Sequence, residues 1–285
     1  TIEHLAMKNC FIKIMRKQTY IWIVAALLVL ISLIWLGKTG SVRDLPEIQE
    51  EGRMSVLIES GEHGFTRDSV HVYGFQYELI RRFTDSLGVE LVVINEDKTR
   101  DGMRELANGT CDVLVSLRPV MVDSVRSVVS LNPVLSTRLM LVQQKDSAGQ
   151  PLISKQYELD GDTITVMKNS PFMVRLGYLA EELAIDLNIN DIAVDSPDEI
   201  VRLVNDKKVK YTISPEYLTG RFKARYADVD FSVPLSFKQD LTWTVNKKSP
   251  ELQKRLNAFL DGFIGTAEFA TIYNKYFSQS LTTNH

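Results

Sequence analysis

The stretch Ser55–Asn95, SVLIESGEHGFTRDSVHVYGFQYELIRRFTDSLGVELVVIN, reads as a strand, a long loop, a helix and a second strand. Phe75, Leu79, Phe83 and Leu87 recur at steps of four with Ile80 beside them, while Gln76, Glu78, Arg81, Arg82 and Asp85 take the other side. Such spacing gives the helix one face for a core and one for water. Gly88 follows the last apolar position, where a left-handed cap residue is favoured. Val89–Ile94 then runs almost continuously apolar, as a strand covered on both faces does. The unit is a βαβ crossover in a parallel sheet. Its first connection, Glu59 to Val72, is far longer than such loops usually are, and it carries Ser60, His63, Phe65, His71 and, at its end, Tyr73. Long loops at the carboxyl ends of parallel strands are where α/β proteins place their ligand sites.

Downstream, the pattern repeats. Thr99 or Asp101 opens a helix through Asn108 containing Met103, Leu106 and Ala107, and Gly109 ends it. Cys111–Leu117 reads as a third buried strand, Arg118–Val134 is less regular, and Arg138–Gln144 is a further strand. A second alternating set follows: a strand at Asp162–Lys168, then a helix capped by Ser170, opened by Pro171 and striped by Val174, Leu179 and Leu183. After a strand at Asn190–Asp195, Ser196-Pro197-Asp198-Glu199 forms a capping box for a helix burying Ile200, Leu203 and Val204. Tyr211–Ser214 and Val229–Val233 complete this sheet, and Leu241–Val245 reads as a return strand to the first. Ser249-Pro250-Glu251 caps a helix carrying Leu252, Leu256, Phe259 and Phe263; Gly265 breaks it, and a last helix carries Phe269, Ile272, Tyr273 and Tyr276.

Upstream, Tyr20–Leu36 is seventeen residues without a charge, with Tyr20, Trp22 and Trp35 near its ends. That length just spans a bilayer, with aromatics at interface depth. Lys8, Lys13, Arg16 and Lys17 precede it without an intervening acid, which predicts a cytoplasmic N-terminus and an exported remainder. A cleaved signal peptide is the alternative, but no Ala-x-Ala-like site follows the run, and no cysteine stands there for lipid attachment. Met7-Lys8 looks like a natural start, and Gly37–Glu51 reads as a tether. The expected order is therefore a cytoplasmic stretch 1–19, an anchor 20–36 and a tether 37–51. With 285 residues, 45% of them hydrophobic, the chain can bury a substantial core, and a net charge of -3 gives no support to nucleic-acid binding. The two cysteines, Cys10 and Cys111, fall on opposite sides of the anchor and are not expected to pair; Cys111 reads as a small core residue.

The segment GFQYELIRRFTDSLGVEL resembles the first helix of the type-II periplasmic solute-binding proteins, and most of all the binding domain at the front of membrane-bound lytic transglycosylases of the F type. The resemblance runs from about Gly52 to Phe277. It implies an α/β fold, a two-lobed type-II clamp here preceded by one transmembrane helix, with 52–143 and 237–278 as the first lobe, 144–236 as the second and 279–285 as a tail. It also implies hinge closure around a small ligand.

The family's charge anchors are altered. In amino-acid-binding members an arginine in a Thr-x-x-Arg stretch holds the ligand carboxylate, but the corresponding residues are Met121-Val122-Asp123-Ser124; Arg118 or Arg126 is the nearest substitute. An aspartate that pairs with the ligand ammonium is replaced by Pro215 in YTISPEYL, leaving Glu216 adjacent. Ser170 falls where a serine and free helix N–H groups meet a carboxylate in the family, and reads equally as a simple cap. The expected ligand-binding set is Ser60, Phe65, Tyr73, Ser116, Arg118, Ser170 and Glu216, with Phe65 and Tyr73 as aromatic contacts. His63 and His71 share one loop without cysteines or spaced acids, so no metal site is expected, nor any cofactor or catalytic group.

The function expected is a membrane-anchored extracytoplasmic binding or sensing domain of the bacterial inner membrane, facing the periplasm. Its ligand would be an amino-acid derivative, a peptide or a muropeptide, and its partner a permease or a cell-wall enzyme. Two alternatives stand beside it: the regulatory front of a lytic transglycosylase without its catalytic domain, and a degenerate clamp used for docking.

Overall fold

The computed structural model describes residues 41–96, 99–117, 126–170, 172–194 and 196–278. The stretch read as a tether ends in a helix, α1 (Leu45–Glu51), closed by a capping box between Asp44 and Glu47 and left through Gly52 at φ 68°. Ile48 of α1 is fully buried, so this helix belongs to the first core and is not a spacer. β1 (Arg53–Glu59), β2 (Thr66–Arg67), β3 (Val72–Tyr73), α2 (Phe75–Leu87) and β4 (Glu90–Glu96) follow. β1 and β4 pair in parallel from Arg53↔Glu90 to Glu59↔Glu96, which is the crossover expected of Ser55–Asn95. α2 buries Phe75, Leu79, Ile80 and Phe83 and ends at Gly88, φ 69°. Gln76 is buried with them because its side-chain carbonyl accepts from the Trp243 indole N–H at 2.7 Å.

α3 (Thr99–Ala107) leads to β5 (Val113–Val115), shorter than the strand read at Cys111–Leu117. Cys111 packs with Leu57, Leu106, Leu114 and Val128, as a small core residue should. β6 (Val128–Thr137) is a ten-residue strand in a segment that reads as irregular. It is an edge strand, and edges tolerate the proline and polar residues, Ser130, Asn132 and Pro133, that hide it in the sequence. β7 (Leu139–Gln144) begins immediately beyond Arg138 and lies in the second sheet, so the chain crosses between lobes at Arg138, earlier than the boundary at 143/144.

The second lobe comprises β8 (Thr163–Met167), α4 (Met173–Leu183), β9 (Asn188–Ile192), α5 (Pro197–Asn205), β10 (Tyr211–Pro215), α6 (Glu216–Arg225) and β11 (Val229–Asp230). Its sheet order is β11-β7-β10-β8-β9. The cap expected at Ser170 is corrected here: α4 begins at Met173 with Phe172 as its cap residue, and the Ser170 hydroxyl accepts from Phe172 N–H at 3.3 Å, one turn ahead of the helix. Its buried face is Leu176 and Leu179, with Leu183 packed beside them, while Val174 is 65% exposed. In α5, Ser196 caps as expected, accepting from Glu199 N–H at 3.2 Å, and Ile200, Val201 and Val204 form the buried face.

β12 (Gln239–Asn246) returns to the first sheet, whose order is β4-β1-β5-β12-β6, and α7 (Pro250–Phe263) and α8 (Ala267–Phe277) close the lobe. The cap of α7 also differs from the reading. Ser249 donates to the Arg43 carbonyl at 2.6 Å, and the carboxylate of Asp44 accepts from Glu251 N–H at 3.1 Å and Leu252 N–H at 2.8 Å. One aspartate thus ties α1 to α7. Among the described residues no helix is long and apolar enough to cross a membrane; Tyr20–Leu36, read as the anchor, lies outside them.

Candidate functional site

The long connection after β1 is explained by where its carbonyls go. Glu62, His63 and Gly64 accept from the first three N–H groups of α2, those of Phe75, Gln76 and Tyr77, at 3.1–3.2 Å. Helix N-termini leave such donors unpaired, and here the loop satisfies them. The fold-back is tight: a Cβ on Gly64 would lie 2.0 Å from the Glu59 carbonyl oxygen, and one on Gly74, φ 148°, would lie 2.1 Å from that of Gly64. The loop is therefore fixed, and it carries the side chains of Glu62 and His63 to the second lobe.

A cleft of about 680 Å³ lies between the lobes. The first lobe supplies its 59–64 loop and Leu117; the second supplies the β8–α4 connection, the start of α5, the end of β10 and the face of α6 that carries Tyr217 and Arg221. At one end the lobes are joined. Glu62 of the loop pairs with Nη1 of Arg221 on α6. His63 stacks on Phe277 of α8, ring centroids 5.1 Å apart and 10° from parallel, and meets Tyr217 of α6 edge-on at 6.2 Å. Tyr217 and Arg221 are one turn apart, so the ring contact and the ion pair fall on one face of α6.

Burial, reinforced by the charge of Arg221, lowers the His63 pKa to about 4, so its imidazole is neutral at neutral pH. Its Nε2 stands 3.6 Å from a Glu62 oxygen, beyond hydrogen-bonding distance, and has no partner among the described residues. Two further buried atoms of cleft-lining residues share that condition: Nε of Arg221 and the hydroxyl of Thr212. An unmade bond at a buried donor costs about 1–3 kcal/mol, so such groups invite a ligand acceptor. Elsewhere on the walls the carboxylates are committed. Asp198 accepts twice from Arg225 at 2.9 Å and once from the Tyr226 hydroxyl at 3.1 Å, and a Glu59 carboxylate oxygen accepts from Leu117 N–H at 3.2 Å.

Ser60 and Ser170 lie on the cleft wall, one from each lobe. The other expected contacts are placed differently. Phe65 is buried, 7% exposed, because its ring packs edge-on against Tyr77 at 5.4 Å; Tyr73 packs on the same core from β3. Ser116 is buried behind the end of β5. Glu216 turns away from the cleft and accepts from Nε and Nη2 of Arg138 at 3.0 and 2.8 Å, fastening the start of α6 to the inter-lobe crossing. Arg118 and Met121–Ser124 lie outside the described residues. Pro215 lines the cleft where the family's aspartate was sought. Among the described residues no group of side chains could hold a metal ion.

Two α/β lobes joined by crossing strands, with a ligand-sized cleft between them, define a type-II solute-binding clamp. Residues 59–279 match the bacterial extracellular solute-binding proteins, family 3, and the chain belongs to that family. Among its relatives are the proteins named membrane-bound lytic murein transglycosylase F of Desulfosudis oleivorans, 24% identical over 84% of this chain and 51% of that one, and of Photobacterium profundum, 25% identical over 83% and 46%. The chain thus spans about half the length of these relatives. Solved structures share the fold: YckB of Bacillus subtilis at TM-score 0.68 and 15% identity, covering 84% of this chain and 94% of that one, and the unliganded, open L-cystine solute receptor of Neisseria gonorrhoeae at 0.61 and 16%, covering 83% and 98%.

Proposed function

We propose that this chain is the ligand-binding domain of a membrane-anchored extracytoplasmic protein, closing its two lobes on a small peptide or amino-acid derivative released from the cell wall. The observation that carries this reading is the inter-lobe cleft, whose volume suits a small molecule and whose walls come from both lobes. The similarity to transglycosylase F proteins supports a cell-wall origin for the ligand. Tyr20–Leu36 is the proposed anchor, leaving the clamp on the periplasmic side. The binding residues proposed on the wall are Ser60 and Ser170. Native mass spectrometry of the purified chain, followed by calorimetry with murein peptides and free amino acids, tests the reading. Retention or micromolar binding of such a compound supports it, and a cleft that takes none of them refutes it. Fractionation tests the anchor, since a freely released protein of reduced mass contradicts it.

A second reading has its own support, because the chain covers about half of each transglycosylase F relative. In it the domain regulates a murein-cleaving domain, with the ligand as the signal. Release of anhydromuropeptides that changes when the cleft is filled, measured with the catalytic part present, supports it; activity indifferent to cleft ligands excludes it.

A further inference from the structure

We infer that Arg221 recognises a carboxylate of the cleft ligand through the edge formed by Nε and Nη2, while Glu62, held on Nη1, orients the guanidinium and offsets its charge until the ligand enters. The inference rests on the solute-binding reading above and names the chemistry of its ligand.

The first support is an incomplete pairing. A guanidinium presents its Nε–H and Nη2–H along one edge, spaced to meet both oxygens of a carboxylate. Glu62 engages Nη1, which lies outside that edge, while Nε is buried and has no partner among the described residues. The loop holds Glu62 in that place: its carbonyl is fixed by Phe75 N–H at 3.1 Å, inside the tight loop that Gly64 and Gly74 allow. A free carboxylate carries no such constraint and can take the whole edge. The Glu62 carboxylate therefore holds the guanidinium from one side and leaves its Nε edge for an anion.

The second support is independent of that pair. Thr212, on β10, is 1% exposed and lines the same cleft, yet its hydroxyl has no partner among the described residues. Buried hydroxyls are nearly always bonded, so this one indicates an acceptor that arrives from the cleft. Both orphaned groups belong to the second lobe. The acid on the opposite wall keeps the pair neutral until a ligand supplies its own carboxylate.

The test uses the purified full chain and three variants, Glu62→Gln, Arg221→Gln and Arg221→Lys, with calorimetry at low salt. The probes are the murein tripeptide L-Ala-γ-D-Glu-meso-diaminopimelate, L-glutamate, and the corresponding carboxamides. Glu62→Gln is expected to bind the acids about tenfold tighter than the unaltered chain, with no gain for the amides. Arg221→Gln is expected to lose the preference for acid over amide. Arg221→Lys, which keeps the charge without the fork, is expected to lose most of it. An unfolding midpoint for each variant shows that it is folded. Equal binding of acids and amides, or no gain in Glu62→Gln, overturns the inference, as does failure of Glu62→Gln to bind any of the acids. A neutral saccharide retained in the cleft overturns it while leaving the solute-binding reading intact, whereas a cleft that binds no compound of any class overturns both.

Discussion

Replacing His63 by phenylalanine keeps a flat ring between Phe277 and Tyr217 and removes the titrating nitrogen. In the folded chain burial and Arg221 hold the imidazole at about 4, against 6.5 when it is free. Above pH 6.5 both states carry a neutral ring and the contribution is constant. Between 6.5 and 4 the unfolded chain binds more protons, so stability is progressively lost as the pH falls through that window. A difference of about 2.5 pK units at about 1.36 kcal/mol each gives a full effect of about 3 kcal/mol, of which about 2 kcal/mol is lost by pH 5. Urea unfolding of both proteins at pH 7.5, 6 and 5 isolates this quantity as a difference. Carboxylates with shifted pKa values, such as Asp68, lowered by hydrogen bonds from the Val70 and His71 N–H groups, are common to both proteins and cancel. The expected result is that the phenylalanine variant gains on the unaltered chain by about 2 kcal/mol between pH 7.5 and pH 5. A difference that stays flat, or moves the other way, would mean that His63 is solvated or charged, and the ring junction between the lobes as described would fall with it.

Gly74→Ala places a methyl group 2.1 Å from the Gly64 carbonyl oxygen at φ 148°, with backbone on both sides, so a loss of about 3 kcal/mol or more is expected in urea unfolding; a neutral outcome would mean the loop is not folded back. Asp44→Ala removes the acceptor shared by Leu45, Glu251 and Leu252, two helix caps at about 1 kcal/mol each, and faster hydrogen exchange in the first turn of α7 is its specific sign. Exchanging the charges in Glu62→Arg with Arg221→Glu restores a pair that either single change breaks. Because the partners are only 28% and 14% exposed, the double variant is expected to recover about 1–3 kcal/mol relative to the sum of the singles, and strict additivity would show that the pair does not form.

What the sequence made legible is what depends on near neighbours. The apolar spacing of Phe75 to Leu87 and the glycine behind it suffice for α2, and the unbroken run after Gly88 suffices for β4. β6 was hidden because an edge strand need not alternate, and its Asn132 and Pro133 look like loop residues. α1 did have a local signal, the capping box of Asp44 and Glu47. The cap of α7 was hidden by distance, since Asp44 reaches an N–H group 208 positions away and no local pattern announces that reach. The same holds at the cleft. Glu62 and Arg221 are separated by 159 positions, each an ordinary surface residue in its own neighbourhood, and only the packing of α6 against α8 brings them together. Phe65 and Tyr73 were read as cleft aromatics from their place in a long loop, but that loop folds back, and the fold-back turns their rings to the core.

The distribution of hydrogen-bonding groups across the cleft gives its two walls opposite character. On the first lobe, the α2 N-terminus would ordinarily offer donors to an anion, but its first three N–H groups are consumed by the loop carbonyls, and the same loop adds the carboxylate of Glu62. That wall therefore presents acceptors. On the second lobe, Asp198 is neutralised by Arg225, and the buried groups left without partners among the described residues include the Arg221 Nε–H and the Thr212 hydroxyl. That wall presents donors. The resemblance implied the reverse, an arginine on the first lobe and an acid on the second, and Pro215 now occupies the latter place. If Arg221 takes the ligand's carboxylate as inferred, a zwitterion lies across this cleft with its anion toward α6 and its cation toward the 59–64 loop. The loss of both charged positions of the family's pattern is then accompanied by an ion pair of opposite orientation, Glu62 with Arg221.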